Sequence, residues 1–149
     1  MGAADGGRPY VVVDSSVSLK WALDDEDAVE QAVALRDAAV SGRVDMVAPS
    51  LWLYEVINAL ITAARRGRLT SEIGTQALDL LLALGVRLAD PEAQDVYSAA
   101  IRYGVAAYDA AYLALAATLD APLWTGDRRF YDAVRGTTEL VRWIGDYED

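Results

Sequence analysis

Asp14, Glu55, Asp109 and Asp127 are carboxylates isolated in otherwise apolar stretches of a 149-residue chain, far apart in sequence. Asp14 closes the run Tyr10-Val11-Val12-Val13, and Asp109 opens Ala110-Ala111-Tyr112-Leu113-Ala114-Leu115-Ala116-Ala117. An acid beside a buried element costs several kcal/mol unless something pairs with it. The commonest partner for several clustered acids is a hard divalent cation. The chain has no His and no Cys, which removes imidazole, thiolate and most zinc chemistry. Oxygen-ligand metal chemistry is left, and it points to phosphoryl transfer or phosphodiester hydrolysis.

Each acid also has a plainer reading. Asp14 follows a strand and precedes a helix, where aspartate routinely caps, although Ser15 and Ser16 would cap without a buried charge. Asp109 and Asp127 stand at helix starts and are open to the same account, Asp127 within the ordinary turn Thr125-Gly126-Asp127. Glu55 could be an exposed helix residue. Its neighbours Leu51, Trp52, Val56 and Ala59 are apolar, and Asn58 shares its face one turn on, as a ligand with a supporting amide would. The joint placement of the four carries the argument.

That placement depends on the elements. Tyr10 to Val13 is a β-branched run expected to be a fully buried strand. Short helices are expected at about Val17 to Leu23 and Ala28 to Val40, the second capped by the acidic turn Asp24-Asp25-Glu26-Asp27. Met46 to Ala48, Val86 to Leu88, Pro122 to Thr125 and Glu139 to Trp143 are further strands. Leu51 to Arg66, Ser71 to Leu84, Pro91 to Tyr103, Tyr108 to Leu119 and Asp127 to Val134 are helices. Alternating strands and helices predict a parallel sheet covered on both faces, with ligands at the carboxyl ends of the strands. Asp14 and Asp127 fall at such ends, and Glu55 and Asp109 can reach the same edge.

The bulk properties narrow the function. The length suits one domain, expected over residues 10–149 behind a flexible Gly-rich segment 1–9. The absence of cysteine, of a signal-peptide core and of a long apolar span predicts a cytoplasmic protein with no membrane association. A net charge of −10 lacks the basic footprint of an extended nucleic-acid binder. It leaves room for a nuclease whose metal ions carry the positive charge, and for a basic protein partner. Lys20 is the sole lysine, which a compact ammonium requirement or simple codon bias would explain. Trp21, Trp52, Tyr54, Tyr108 and Tyr112 are expected in the core.

Four segments together resemble a known family. Val11-Val12-Val13-Asp14-Ser15-Ser16-Val17 with Leu19-Lys20-Trp21 is similar to the opening of a PIN domain of the VapC toxin type. Tyr54-Glu55-Val56-Ile57-Asn58-Ala59-Leu60, the stretch Gly104-Val105 through Tyr108-Asp109-Ala110-Ala111-Tyr112-Leu113, and Leu123-Trp124-Thr125-Gly126-Asp127-Arg128-Arg129-Phe130 resemble the later motifs, in order and suitably spaced. The resemblance implies a three-layer α/β/α sandwich around a short, mainly parallel sheet of about five strands. It implies an endoribonuclease dependent on Mg²⁺ or Mn²⁺, neutralised by a cognate antitoxin and usually homodimeric, although some members process ribosomal or transfer RNA. In that reading Asp14, Glu55 and Asp109 hold the metal and Asp127 completes the site. Ser16, Asn58 and Thr125 support the carboxylates. Apart from the resemblance, the sole lysine Lys20 is a candidate to touch the substrate, and so is Arg128, for which a solvated surface charge is an equal alternative.

Other readings fit less well. A haloacid-dehalogenase-type phosphatase needs a second acid where Ser16 stands. A receiver domain needs a lysine late in the chain, and a dinucleotide or P-loop fold needs a Gly-rich turn after the first strand. A purely acidic binding module has no use for carboxylates on apolar elements.

Overall fold

The computed structural model describes residues 7–149. Five strands, β1 (Tyr10–Val13), β2 (Asp45–Ala48), β3 (Arg87–Leu88), β4 (Leu123–Thr125) and β5 (Val141–Trp143), form one sheet in the order β3-β2-β1-β4-β5. Every pairing is parallel, with Val12 opposite Val47 on one side and Leu123 on the other. The helices are α1 (Ser15–Ser18), continued by a 3-10 turn at Leu19–Trp21, α2 (Val29–Val40), α3 (Leu51–Arg65), α4 (Ser71–Ala83), α5 (Ala93–Tyr103), α6 (Ala107–Leu119) and α7 (Arg128–Val134). This is the expected α/β/α sandwich, and the sheet is parallel throughout.

Side-chain alternation along β1 divides the core into two layers. Val12 points with Val47, Leu123 and Val141 toward α3, α4, α6 and α7, against Trp52, Val56, Leu81 and Leu113. Val11 and Val13 point the other way with Met46 and Trp124, against Val17, Ala32 and Leu35. A β1 buried on both faces explains its unbroken run of apolar residues. α6 is buried continuously from Ala110 to Ala116, as its nearly all-apolar sequence demands.

From β1 the chain moves outward through β2 to β3, then returns to β4 and β5 on the opposite side. The reversal leaves a crevice beyond the carboxyl ends of β1 and β4, where open α/β sheets place their ligands. Asp14 directly follows β1, and Gly126-Asp127 directly follows β4.

Several expectations need correcting. The acidic turn does not cap α2, whose preceding residue Ala28 lies in the left-handed region at φ 56° with no side-chain cap. Asp25 and Glu26 instead bind Arg68, in the connection between α3 and α4. α5 begins at Ala93 rather than Pro91, because Glu92 is still extended. Tyr54 and Tyr108 are 73% and 69% exposed, not core. Tyr54 lies off the buried stripe Trp52, Val56, Leu60 and Ala63 of α3, and Tyr108 precedes the buried part of α6. Of the segment expected to be flexible, residues 1–6 lie outside the described residues. Pro9 already accepts a hydrogen bond from the Asp45 amide at 2.9 Å.

Candidate active site

Asp14 is fixed by the two loops that meet at the crevice. Its carboxylate accepts from the Val17 amide at 3.2 Å, capping α1, and from the Ser16 hydroxyl. Ser16 Oγ also accepts from the Gly126 amide at 2.7 Å, tying the loop after β1 to the loop after β4. The fully buried Thr125 accepts from the Asp127 amide at 3.0 Å, and its hydroxyl also reaches Asp14. Asp14 therefore does cap a helix, but it does so at 8% exposure. Burial pushes its carboxyl up to about 6, despite the opposing hydrogen bonds from Ser16, Thr125 and Val17, and the Asp127 charge adds to the rise.

Glu55 projects from the second turn of α3 and accepts a 2.6 Å hydrogen bond from the Tyr112 hydroxyl of α6. Partial burial raises its carboxyl above the usual range, Tyr112 and Ser15 oppose the rise, and Asp109 adds to it. Asp109 lies in the first turn of α6, whose cap position is Ala106, so the plain cap reading does not describe it. Its carboxyl is also raised, by burial first and then by Asp127, with Arg129 opposing. Asp127 caps α7 through the Phe130 amide at 3.2 Å. Repulsion thus runs from Asp14 to Asp127, from Asp127 to Asp109, and from Asp109 to Glu55.

Asn58 is exposed, and the hydroxyl that reaches Glu55 belongs to Tyr112 instead. Sequence reasoning placed Tyr112 in the core, where its ring does lie. Its spacing of three from Asp109 was the available signal, because it puts both on one face of α6. Ser15, in sequence only a possible helix cap, also reaches Glu55. Lys20 is buried near the Gly126 turn, and the Arg128 guanidinium lies 3.8 Å over the Trp143 ring.

Among the described residues, no three acidic side chains close into a ready-made coordination shell. The donor set still fits a small hard cation. It is all oxygen, and three of its members carry charge that burial and repulsion leave poorly compensated. Mg²⁺ takes only one or two carboxylates directly and keeps several waters, so it asks for acids around a wet space rather than a closed cage.

The PIN domain profile matches residues 11–136. The chain belongs to the PIN-domain family. "Ribonuclease VapC3" of Pyrobaculum aerophilum is 35% identical over 123 residues, spanning 80% of this chain and 90% of that protein. "Exonuclease VapC9" of the same organism is 29% identical over 118 residues, spanning 79% of this chain and 89% of that protein. The crystal structure of PAE2754, also from Pyrobaculum aerophilum, superposes with a TM-score of 0.66 at 25% identity, covering 91% of this chain and 92% of that one. All four acids of this PIN domain fall inside the matched span, whereas β5 and Trp143 lie beyond it.

Proposed function

We propose that this chain is a metal-dependent endoribonuclease and the toxin of a toxin–antitoxin pair. The observation that carries the reading is the set of four acids, linked by repulsion, around the crevice between β1 and β4. The VapC names and the ribonuclease title of a 35% identical relative support the same class of chemistry. Bound at these oxygens, Mg²⁺ or Mn²⁺ would acidify a water and offset the charge of the phosphate. The chain's own side chains set the stage for that ion. Ser16 and Thr125 hold Asp14, Tyr112 orients Glu55, and the start of α6 presents Asp109. With no histidine to deprotonate the ribose 2′-hydroxyl, the reading expects water to attack phosphorus and the 3′-oxygen to leave, giving 5′-phosphate and 3′-hydroxyl ends.

A circular RNA tests the endonuclease assignment, because an enzyme that needs a free end cannot open it. The reading expects linear products in Mg²⁺ or Mn²⁺ and none in EDTA. A linear strand trimmed from its ends beside an intact circle would refute it.

The partner follows from surface chemistry. An apolar groove of about 200 Å³ runs between α3 and α4, lined by Ile57, Leu60, Ile61, Ala64, Gly74 and Leu78. It is offered as the seat of an antitoxin segment, whose basic residues would suit the net charge of −10. α5 buries none of its residues and exposes Tyr97 and Ile101, a face suited to a homodimer. Co-expression with a cognate antitoxin should abolish cleavage and yield a stable complex.

A further inference from the structure

Lys20 is the sole lysine of the chain, and its side chain is only 5% exposed. Burying an ammonium costs several kcal/mol unless its donors are satisfied. The nearest carboxylate oxygen, Glu26 Oε1, is 3.9 Å away, beyond hydrogen-bonding distance. Glu26 is engaged elsewhere, since its Oε2 takes a 2.9 Å bond from Arg68. Arg68 also holds Asp25 through bonds of 3.1 and 2.7 Å, so one guanidinium draws both acids to itself.

The Lys20 stem is seated by a glycine. A Cβ on Gly126 would stand 2.7 Å from Lys20 Cε, so only a bare backbone lets the stem lie along the turn before Asp127. Lys20 then lines a cavity of about 500 Å³ together with Gly126, Arg128 and Trp143, and with the acids Asp25, Glu26 and Asp27. The Arg128 guanidinium is laid flat 3.8 Å above the Trp143 ring, a contact that orders a long side chain. Lys20, whose nearest acid is Glu26 at 3.9 Å, and Arg128, stacked on Trp143, thus line one space beside the turn that carries Asp127.

We propose that this cavity binds a backbone phosphate of the RNA strand next to the phosphodiester that is cut, with Lys20 and Arg128 as its ligands. The proposal rests on the nuclease reading above and adds to it where the strand runs. Glu26 is the built-in competitor: its carboxylate lies closest to Lys20 until a phosphate arrives, and Arg68 holds it aside.

The test uses Lys20→Met, which keeps the buried stem and removes the charge, with Gly126→Ala and Glu26→Gln as companions. Cleavage of a mixed-sequence single-stranded RNA gives KM and kcat, and fluorescence anisotropy in calcium gives affinity against salt. Loss of one charge-assisted phosphate contact should raise KM about tenfold for Lys20→Met, with the larger part of the effect in KM. The slope of log affinity against log salt should fall by about 0.7, as for one phosphate contact on a single strand. Gly126→Ala should move both quantities the same way by displacing the ammonium, and Glu26→Gln should lower KM. If Lys20→Met does not fold, the two companions decide. Variants that cleave with the parent KM and salt slope overturn the subsite while leaving the nuclease reading intact. A parent that neither binds nor cleaves RNA in Mg²⁺ or Mn²⁺ overturns the nuclease reading, and the subsite with it.

Discussion

Replacing Asp14 by Asn should stabilise the metal-free protein while abolishing its activity. The amide keeps the shape of the carboxylate, and its oxygen can still accept from the Val17 amide and the Ser16 hydroxyl. What it removes is a buried charge. The folded-state carboxyl titrates near 6 against 3.8 for the unconstrained group, a gap worth roughly 3 kcal/mol at most. Because the folded value is the higher one, the penalty is complete above about pH 6. It fades as pH falls through 6, and it vanishes below about 4. In EDTA at pH 7.5 the variant should therefore melt above the parent by up to roughly 6–12 °C, taking about 1 kcal/mol for each 2–4 °C. The difference should shrink steadily on acidification, a comparison in which the shared contributions of Glu55 and Asp109 cancel. Added Mg²⁺ should reverse the order, since the parent gains stability by ligand linkage and the variant gains little. Differential scanning fluorimetry over pH, with and without metal, measures all of this. An Asn variant that melts below the parent at pH 7.5, or at a constant offset across pH, would refute the reasoning.

Three further outcomes follow from the same geometry. Asp109→Asn should raise the EDTA melting temperature, because its carboxyl is held above the usual range by burial and by Asp127, and should blunt the response to Mg²⁺ or Mn²⁺, whereas superimposable metal responses would remove Asp109 from the site. Tyr112→Phe deletes the 2.6 Å bond to Glu55 and should weaken metal affinity about 10–100-fold with the fold intact, as read by calorimetric titration. Thr125→Val leaves the Asp127 amide without its acceptor and should cost about 1–3 kcal/mol in urea unfolding, with a loss of activity.

The elements were legible where local pattern and tertiary role coincide. The run at Val11 to Val13 reads as a buried strand because both faces of β1 are covered, and the apolar stretch after Asp109 reads as a central helix because it is one. Signals that depend on distant partners were not legible. The acidic turn before α2 looks like a cap in isolation, but Arg68, more than forty residues on, determines what Asp25 and Glu26 do. Asn58 has the right helical spacing to support Glu55, yet α6 presents the Tyr112 hydroxyl there first. Tyrosine is ambiguous in sequence because its ring belongs to the core while its hydroxyl can belong to a site. The four acids stood out because each breaks an apolar run. Their linkage through the crevice needed the sheet order, which places β1 beside β4 rather than at an edge.

Product-end analysis of a cleaved RNA tests the central claim most directly. Parent and Asp14→Asn proteins are incubated with labelled RNA in Mg²⁺, Mn²⁺ or EDTA, and the new termini are identified by mass spectrometry. The account predicts 5′-phosphate and 3′-hydroxyl ends, formed only by the parent and only with metal. Cleavage that persists in excess EDTA, or 2′,3′-cyclic phosphate ends, would contradict it.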